Sequence, residues 1–409
     1  MKTVIVVGAG AAGLIACGTA AKSTDKVILI ERNDIIGKKL LITGKGRCNI
    51  TNSAELEDII AAYPKNGKFM YSALYSFTND DIVNLIESYG VKTKVERGGR
   101  IFPVSDKSKD VVNALKKYAL RENVELVTAR VKKLIIENDT IKGVKTTSGD
   151  FFGDSVIICT GGKSYPKTGS TGDGYILAEQ AGHTVTELKP SLVPIVTEEK
   201  WARDLMGLSL KNVAITAYNS KNKKVYSDFG EMIFTHFGIS GPIVLSMSAH
   251  LKKKEAYKIE LDLKPALDEE QLNNRLLRDF EKYSKKHLVN SLDDLLPKAL
   301  IPVIIELSGI DEHRQTGTVT REERMKLISL LKHLPLTFKD FRPIDEAIIT
   351  SGGVKVNEIN PSTMQSKKIE GLYFAGEVID IDGYTGGYNL QAAWSTGYLA
   401  GLNAASDEN

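Results

Sequence analysis

The chain has 409 residues, 42% hydrophobic side chains and a formal net charge of +3, the profile of two or three globular domains. No stretch approaches the roughly 18–20 uninterrupted apolar residues of a membrane span, and the charge is too slight to point to nucleic acid or a lipid surface. Three cysteines, with no C-x-x-C and no H-E-x-x-H, exclude a disulfide framework and give a metal site no support; the expectation is a reducing cytoplasm.

The first predicted element is a strand, Val4-Ile5-Val6-Val7, running into Gly8-Ala9-Gly10-Ala11-Ala12-Gly13 and then a helix. This is a G-x-G-x-x-G turn in its required context. Gly8 allows the tight turn, Gly10 lets backbone approach a pyrophosphate, and Gly13 lets the helix pack closely on the strand. The helix N-terminus offers free N–H groups and a positive dipole end to phosphate. A second apolar run, Val27 to Ile30, ends at Glu31, eighteen residues after Gly13 and placed to accept from ribose hydroxyls. The pattern predicts that FAD or NAD is held by its ADP half. The same segment imitates an export signal, with Lys2 ahead of an apolar stretch and a lipoprotein-like Leu14-Ile15-Ala16-Cys17. Three glycines break that stretch, so the export reading is set aside, and Cys17 is read as a small apolar residue on the inner helix face.

Downstream, helices are expected from Asn79, with an acidic first turn, and near 108–122. A strand follows near 125–128, then a three-stranded meander over 131–152 with turns at Asn138-Asp139 and Ser148-Gly149. Ser155 to Cys159 reads as a buried strand ending at Thr160-Gly161-Gly162. After Pro190 the pattern changes to strands, such as 213–218 and 258–263, and then to charged helices over 269–286 and 321–333. From Ile348 it returns to nucleotide-domain character. A strand at 372–374 meets Gly376-Glu377, and Gly386-Gly387-Tyr388-Asn389 opens a last helix. The expected organisation is a dinucleotide domain of residues 1–191 plus 345–409. It is interrupted by an insert of 192–344, strand-rich over 192–265 and 334–344 and helical over 266–333. No internal repeat is present, and nothing in the sequence sets an oligomeric state. Lys252-Lys253-Lys254 and Lys285-Lys286 read as solvated faces.

Three segments fit a flavin better than a nicotinamide. The first runs from Gly37 to Asn52. Its glycines, including Gly44 and Gly46, offer backbone amides to the pyrophosphate and the flavin edge, and Lys38, Lys39 and Arg47 add positive charge. The second is Thr160-Gly161-Gly162. The third is Gly376-Glu377 with the helix opening at Gly387, whose dipole would stabilise negative charge on a reduced flavin.

These segments carry a family resemblance. The chain resembles bacterial FAD-dependent oxidoreductases with an inserted domain, the aminoacetone oxidase-like or bile-acid-inducible flavoprotein group. The matching segments are 8–13, 44–52, 99–105, 160–174, 234–242 and 375–391, nearly the whole length of the chain. One departure is Lys45, where the family usually has glycine. The resemblance implies an α/β fold: a Rossmann-like FAD-binding domain of glutathione-reductase type, with a strand-rich insert carrying a helical subdomain and a site between insert and flavin. It implies FAD contacts from Gly8, Gly10, Gly13, Glu31, Arg32, Lys39, Arg47, Asn49, Val131, Gly161, Gly376, Asp380, Tyr388, Asn389 and Gln391. Ala11, Ala12, Lys38, Gly44, Gly46, Cys48, Thr160, Gly162, Glu377, Gly387 and Leu390 lie in the same motifs and complete the candidate cofactor set.

In such a protein the flavin carries the chemistry, and hydride passes between a small organic substrate and flavin N5. Candidate proton donors or bases are Tyr165, His236 and Tyr388, with Lys167 in the same motifs. Cys48 reads as a buried structural thiol. No second G-x-G-x-x-G is present, so NAD(P)H enters only as a candidate transient donor. Three readings stand: a reductase of an activated double bond or an amine oxidase, a flavin-dependent RNA-modifying enzyme, and a non-catalytic redox sensor. The slight net charge argues against nucleic acid as a partner.

Overall fold

The computed structural model describes residues 2–406, which fall into two compact units, 2–191 with 344–406, and 192–343. The first unit is built on a five-stranded parallel sheet. Its strands are β1 (Thr3–Val7), β2 (Lys26–Glu31), β3 (Val124–Thr128), β4 (Ser155–Ile158) and β5 (Leu372–Phe374), in the order β5-β4-β1-β2-β3. β1, β4 and β5 are buried almost throughout, as their unbroken Val/Ile/Leu/Phe runs require of strands covered on both faces. The meander forms from Val131–Glu137, Thr140–Thr146 and Gly149–Phe152. The helix expected from Asn79 spans Asn79–Ser88 behind a Thr78/Asp81 capping box.

Helix α1 (Ala11–Ala20) is almost wholly buried, and the last helix, α2 (Tyr388–Ala405), lies against it. The contact is backbone to backbone. A β-carbon at Gly397 would come within 2.4 Å of the Ala12 carbonyl oxygen, and one at Gly401 within 2.5 Å of that of Ala16. Gly13 works the same way one layer in, where a β-carbon would meet the Gly8 carbonyl oxygen at 1.8 Å. The small residues at 12, 16, 397 and 401 therefore set how near the two ends of the chain approach.

The second unit holds a closed six-stranded antiparallel barrel, where the sequence pattern had suggested only further strands. Around the barrel the strands are Ile195–Thr197, Gly238–Ser240, Lys224–Thr235, Ser209–Asn219, Tyr257–Asp262 and Leu334–Phe341. Alternation places Val213, Ile215 and Ala217, then Tyr257, Ile259 and Leu261, then Leu334, Leu336 and Phe338 inside. The helices Glu269–Lys282, Ile301–Ser308 and Arg321–Lys332 share this core through Leu272, Leu276, Ile304, Leu327 and Leu331. Capping boxes start the first and third of them, Asp268 with Gln271 and Thr320 with Glu323. Among the described residues, no helix is long and apolar enough to cross a membrane.

Overpacking a tight core contact costs about 1–3 kcal/mol. Gly401→Val is expected to lie at the upper end, because backbone cannot yield as a side chain does. Equilibrium urea unfolding should show a lower midpoint with an unchanged slope. A midpoint equal to that of the parent chain would mean that the two helices separate freely.

Candidate functional site

The phosphate turn forms as its glycines dictate. The Gly8 N–H donates to the Ile30 carbonyl at 2.8 Å, which ties the turn to β2. Glu31, buried at the end of β2, organises the rest. Its Oε2 accepts from the Ala9 N–H at 2.8 Å, and its Oε1 accepts from the Asn33 backbone N–H at 2.9 Å and side-chain amide at 2.7 Å. A carboxylate has about four acceptor positions, so one remains for a ribose hydroxyl. Helix α1 opens at Gly10 with no side-chain cap, and a β-carbon there would meet nothing within 4 Å. No side chain therefore occupies the helix start, which leaves its N-terminal N–H groups to a pyrophosphate. Thr160, at the end of β4, has a buried hydroxyl with no hydrogen-bond partner. The residues present fit the ADP half of FAD.

Val131 starts its strand just beyond Ala129, whose N–H donates to the Glu31 carbonyl at 2.9 Å. Arg32 turns elsewhere, bonding Thr171 at 2.6 Å and Asp173 at 3.2 Å.

A second cluster gathers around Glu377, which follows Gly376 at the end of β5. Its Oε2 accepts from Lys39 Nζ at 2.8 Å. Its Oε1 accepts from the Thr350 N–H at 2.9 Å and the Ser164 hydroxyl at 3.2 Å, and Lys39 also donates to Ser164 at 2.8 Å. Burial pushes the carboxyl pKa up, but the Lys39 ammonium and these hydrogen bonds outweigh it and hold the group below the usual carboxylate range. Gly162 has to be glycine here, since a β-carbon would come within 2.6 Å of both Glu377 Oε1 and Thr350 Oγ1. Gly376, Glu377, Asn389, Ala392 and Thr396 share the wall of one cavity. The Gly376 N–H donates to Thr396 in α2 at 2.9 Å.

The N-terminus of α2 has no side-chain cap at Gly387. Asn389 instead closes the preceding loop, accepting from the Gly383 N–H at 2.7 Å and donating to the Gly383 and Tyr384 carbonyls. With its amide turned to satisfy its neighbours, Asn49 accepts from the Gly387 N–H at 3.0 Å. Gly44 and Gly46 have positive φ, and so has Lys45 between them, at +58°. A non-glycine residue there costs roughly 1–2 kcal/mol, which explains why glycine suits the position that this chain fills with lysine.

Four expected cofactor residues have other work. The Arg47 guanidinium pairs with Glu96 at 2.9 Å and Asp106 at 3.3 Å and lies 4.0 Å from the centre of the Phe102 ring, because a small sheet brings those carboxylates within its reach. The Cys48 thiol is fully buried in the core, and burial pushes its pKa up to about 12, so it is structural. Gln391 is 0% exposed, and its amide is used up by Thr51, Ser395 and the Phe77 carbonyl. Asp380 is buried against Lys65, at 2.6 and 2.8 Å.

Of the three acid–base candidates, Tyr388 opens α2, with its carbonyl held by the Tyr63 hydroxyl at 2.8 Å. Burial raises its phenol pKa, with Asp58 adding to the effect, so the hydroxyl keeps its proton. Tyr165 is exposed on the loop after β4, with φ at +52°, a strained value for a bulky residue. His236 is exposed in a barrel turn, its ring edge-on to Phe237 at 4.8 Å. Sequence reasoning missed Thr350, Lys65 and Asp382. Asp382 is a buried carboxyl whose pKa is raised by burial, even though the Ser191 and Ser351 hydroxyls each donate to it at 3.0 Å. Ser164 and Asp382 carried a signal, since they lie inside the matched 160–174 and 375–391 segments; Thr350 and Lys65 carried none.

A family model described as the HI0933-like protein Rossmann domain matches residues 2–403. The chain belongs to that family. It is 34% identical to the 3-dehydro-bile acid delta(4,6)-reductase of Clostridium scindens, over 99% of each chain. It is also 34% identical to the ribosomal RNA dihydrouridine synthase of Haemophilus influenzae, over 98% of this chain and 97% of the relative. Among solved structures, the 3-ketosteroid-delta4-(5alpha)-dehydrogenase of Rhodococcus jostii covers 99% of this chain and 97% of its own at a TM-score of 0.52, and its 15% identity speaks for the fold alone. This member of the family is thus a FAD-dependent oxidoreductase with a Rossmann-like FAD-binding domain and a strand-rich insert.

Because the Glu377 pKa is lowered on folding, its stabilisation is present above its unfolded pKa of about 4.3 and is lost as the pH falls through the folded value. Glu377→Gln is expected to lower stability at pH 7 by about 2 kcal/mol, the scale of a charged hydrogen bond. The difference from the parent should shrink below about pH 4. Urea midpoints at pH 7 and pH 3 check this, and a constant difference would deny the ion pair its part.

Proposed function

We propose that this protein reduces a carbon–carbon double bond conjugated to a carbonyl group, with NAD(P)H as the electron donor. A delta(4,6)-reductase of a 3-dehydro steroid acid and a dihydrouridine synthase both saturate such a bond, and the chain is equally similar to one of each. The structural observation that carries the reading is the uncapped N-terminus of α2 beside the Gly376–Glu377 wall. That positive helix end favours developing negative charge near it. FAD, when bound, supplies the hydride for the β-carbon of the substrate. The protein's part is to hold the cofactor through the Gly8–Gly13 turn, Glu31, Lys39, Asn49 and the α2 N-terminus, and to deliver a proton to the α-carbon. We assign that proton to Tyr388, which shares the helix start with Asn389 and stays protonated. Tyr165 and His236 are the remaining candidates. The balance is one hydride and one proton added across the double bond for each NAD(P)H oxidised.

A second reading places the double bond in a uridine of RNA. It is favoured by the similarity to ribosomal RNA dihydrouridine synthases in two organisms.

Anaerobic addition of NADH or NADPH to the purified protein is expected to bleach the flavin band near ~450 nm, and a conjugated enone or uridine substrate should restore it. No bleaching by either nucleotide, with bleaching by an amine, would replace the reductase reading with an oxidase. General acids contribute about 10²–10⁴-fold, so Tyr388→Phe should cut substrate turnover by about 100-fold while nucleotide bleaching stays unchanged. Equal turnover would move the proton to another group.

A further inference from the structure

Two lysine-rich segments far apart in sequence meet at one end of the barrel. Lys221, Lys223 and Lys224 form the turn between strands Ser209–Asn219 and Lys224–Thr235, and Lys252, Lys253 and Lys254 lead into Tyr257–Asp262. Antiparallel register pairs Asn219 with Tyr257 and Tyr218 with Lys258, which puts both segments at the same end. All six lysines are exposed. The turn is held in shape by Asn219, whose Oδ1 accepts from the Lys221 and Lys223 N–H groups at 3.0 Å each. Two nearby carboxylates are already taken: Glu255 pairs with Lys252 at 3.1 Å, and Asp340 with Lys253 at 3.2 Å. Among the described residues, Lys221, Lys223, Lys224 and Lys254 have no carboxylate within ion-pair distance. The other lysine pair differs, since the Lys286 ammonium lies 4.3 Å from the centre of the Tyr283 ring.

Uncompensated like charges repel one another and attract a polyanion. Ammonium groups on flexible stems contact phosphates as point charges, without demanding a fixed geometry. The patch carries exposed Ser220 just before its lysines and exposed Asn222 between them, and no exposed large apolar side chain. Hydroxyl and amide groups suit phosphate and sugar, whereas a lipid surface is gripped by basic residues together with apolar ones. We propose that this end of the barrel is a docking surface for RNA, held through its phosphates. The proposal rests on the second reading above, in which the reduced base belongs to RNA.

The test uses the full FAD-loaded chain and a uridine-containing ribosomal RNA fragment, with binding followed by fluorescence polarisation across a salt series. Each neutralised phosphate contributes about 0.7–0.9 to the slope of log affinity against log salt. Replacing Lys221, Lys223, Lys224 and Lys254 together by Gln should make the slope shallower by about three and weaken binding at 0.1 M salt at least ~30-fold. Thermal melting and the flavin spectrum should stay as in the parent, and Lys285→Gln with Lys286→Gln should leave the slope unchanged. An unchanged slope in the fourfold variant overturns the proposal, and so does tighter binding to phosphatidylserine vesicles than to RNA. Dihydrouridine formed in the same RNA with NADPH is scored separately by mass spectrometry. Dihydrouridine with an unchanged slope leaves the RNA reading standing and removes the patch. Patch-dependent binding without dihydrouridine does the reverse.

Discussion

The close contact between α1 and α2 is the constraint on which the dinucleotide unit depends. Gly397 and Gly401 meet the Ala12 and Ala16 carbonyls with no side chain between them. That approach presses Gly376 against Ala12, where a β-carbon at 376 would come within 2.9 Å of the Ala12 side chain, and it lets Thr396 accept from the Gly376 N–H. One helix start then faces the phosphate turn while the other faces the Gly376–Glu377 wall. Both starts lack side-chain caps, so both keep free N–H groups for an anion. Packing between the two ends of the chain thus supplies the electrostatics of the site.

The polar groups around this frame divide into those that build the site and those left open to a ligand. Glu31 uses three acceptor positions on its own turn, and Glu377 is shared by Lys39, Ser164 and Thr350. Asp380 and Asp382 are neighbours with opposite surroundings. The first is paired with Lys65, and the second is hydrogen-bonded by two serine hydroxyls, while burial, more than these, raises its pKa.

Much of the fold was legible beforehand, because local signals agreed with the tertiary outcome. The Gly8–Gly13 turn, the 131–152 meander, the strand at 372–374 and the last helix lie where periodicity and turn residues put them. Barrel closure was not legible, since the pairing of Ile195–Thr197 with Leu334–Phe341 is a contact across more than a hundred residues. The partners of Arg47 and Gln391 were not legible for the same reason. A sequence motif places a side chain near a cofactor but does not show that Glu96, or the Phe77 carbonyl, has reached it first.

By itself the sequence pointed to a bound nucleotide and to the Gly8–Gly13 turn as the place for its phosphates, because a strand, a glycine turn and a helix are adjacent in sequence and their geometry is local. It also carried the family resemblance, through long contiguous motifs. Only the tertiary structure decided which charges are spent and which are free. Net charge and lysine runs read as a bland solvated surface, yet antiparallel register brings Lys221–Lys224 beside Lys252–Lys254, and ion pairing leaves four of those lysines uncompensated. Electrostatics depends on distances in space, and residues some thirty positions apart share a distance only once the strands between them have paired.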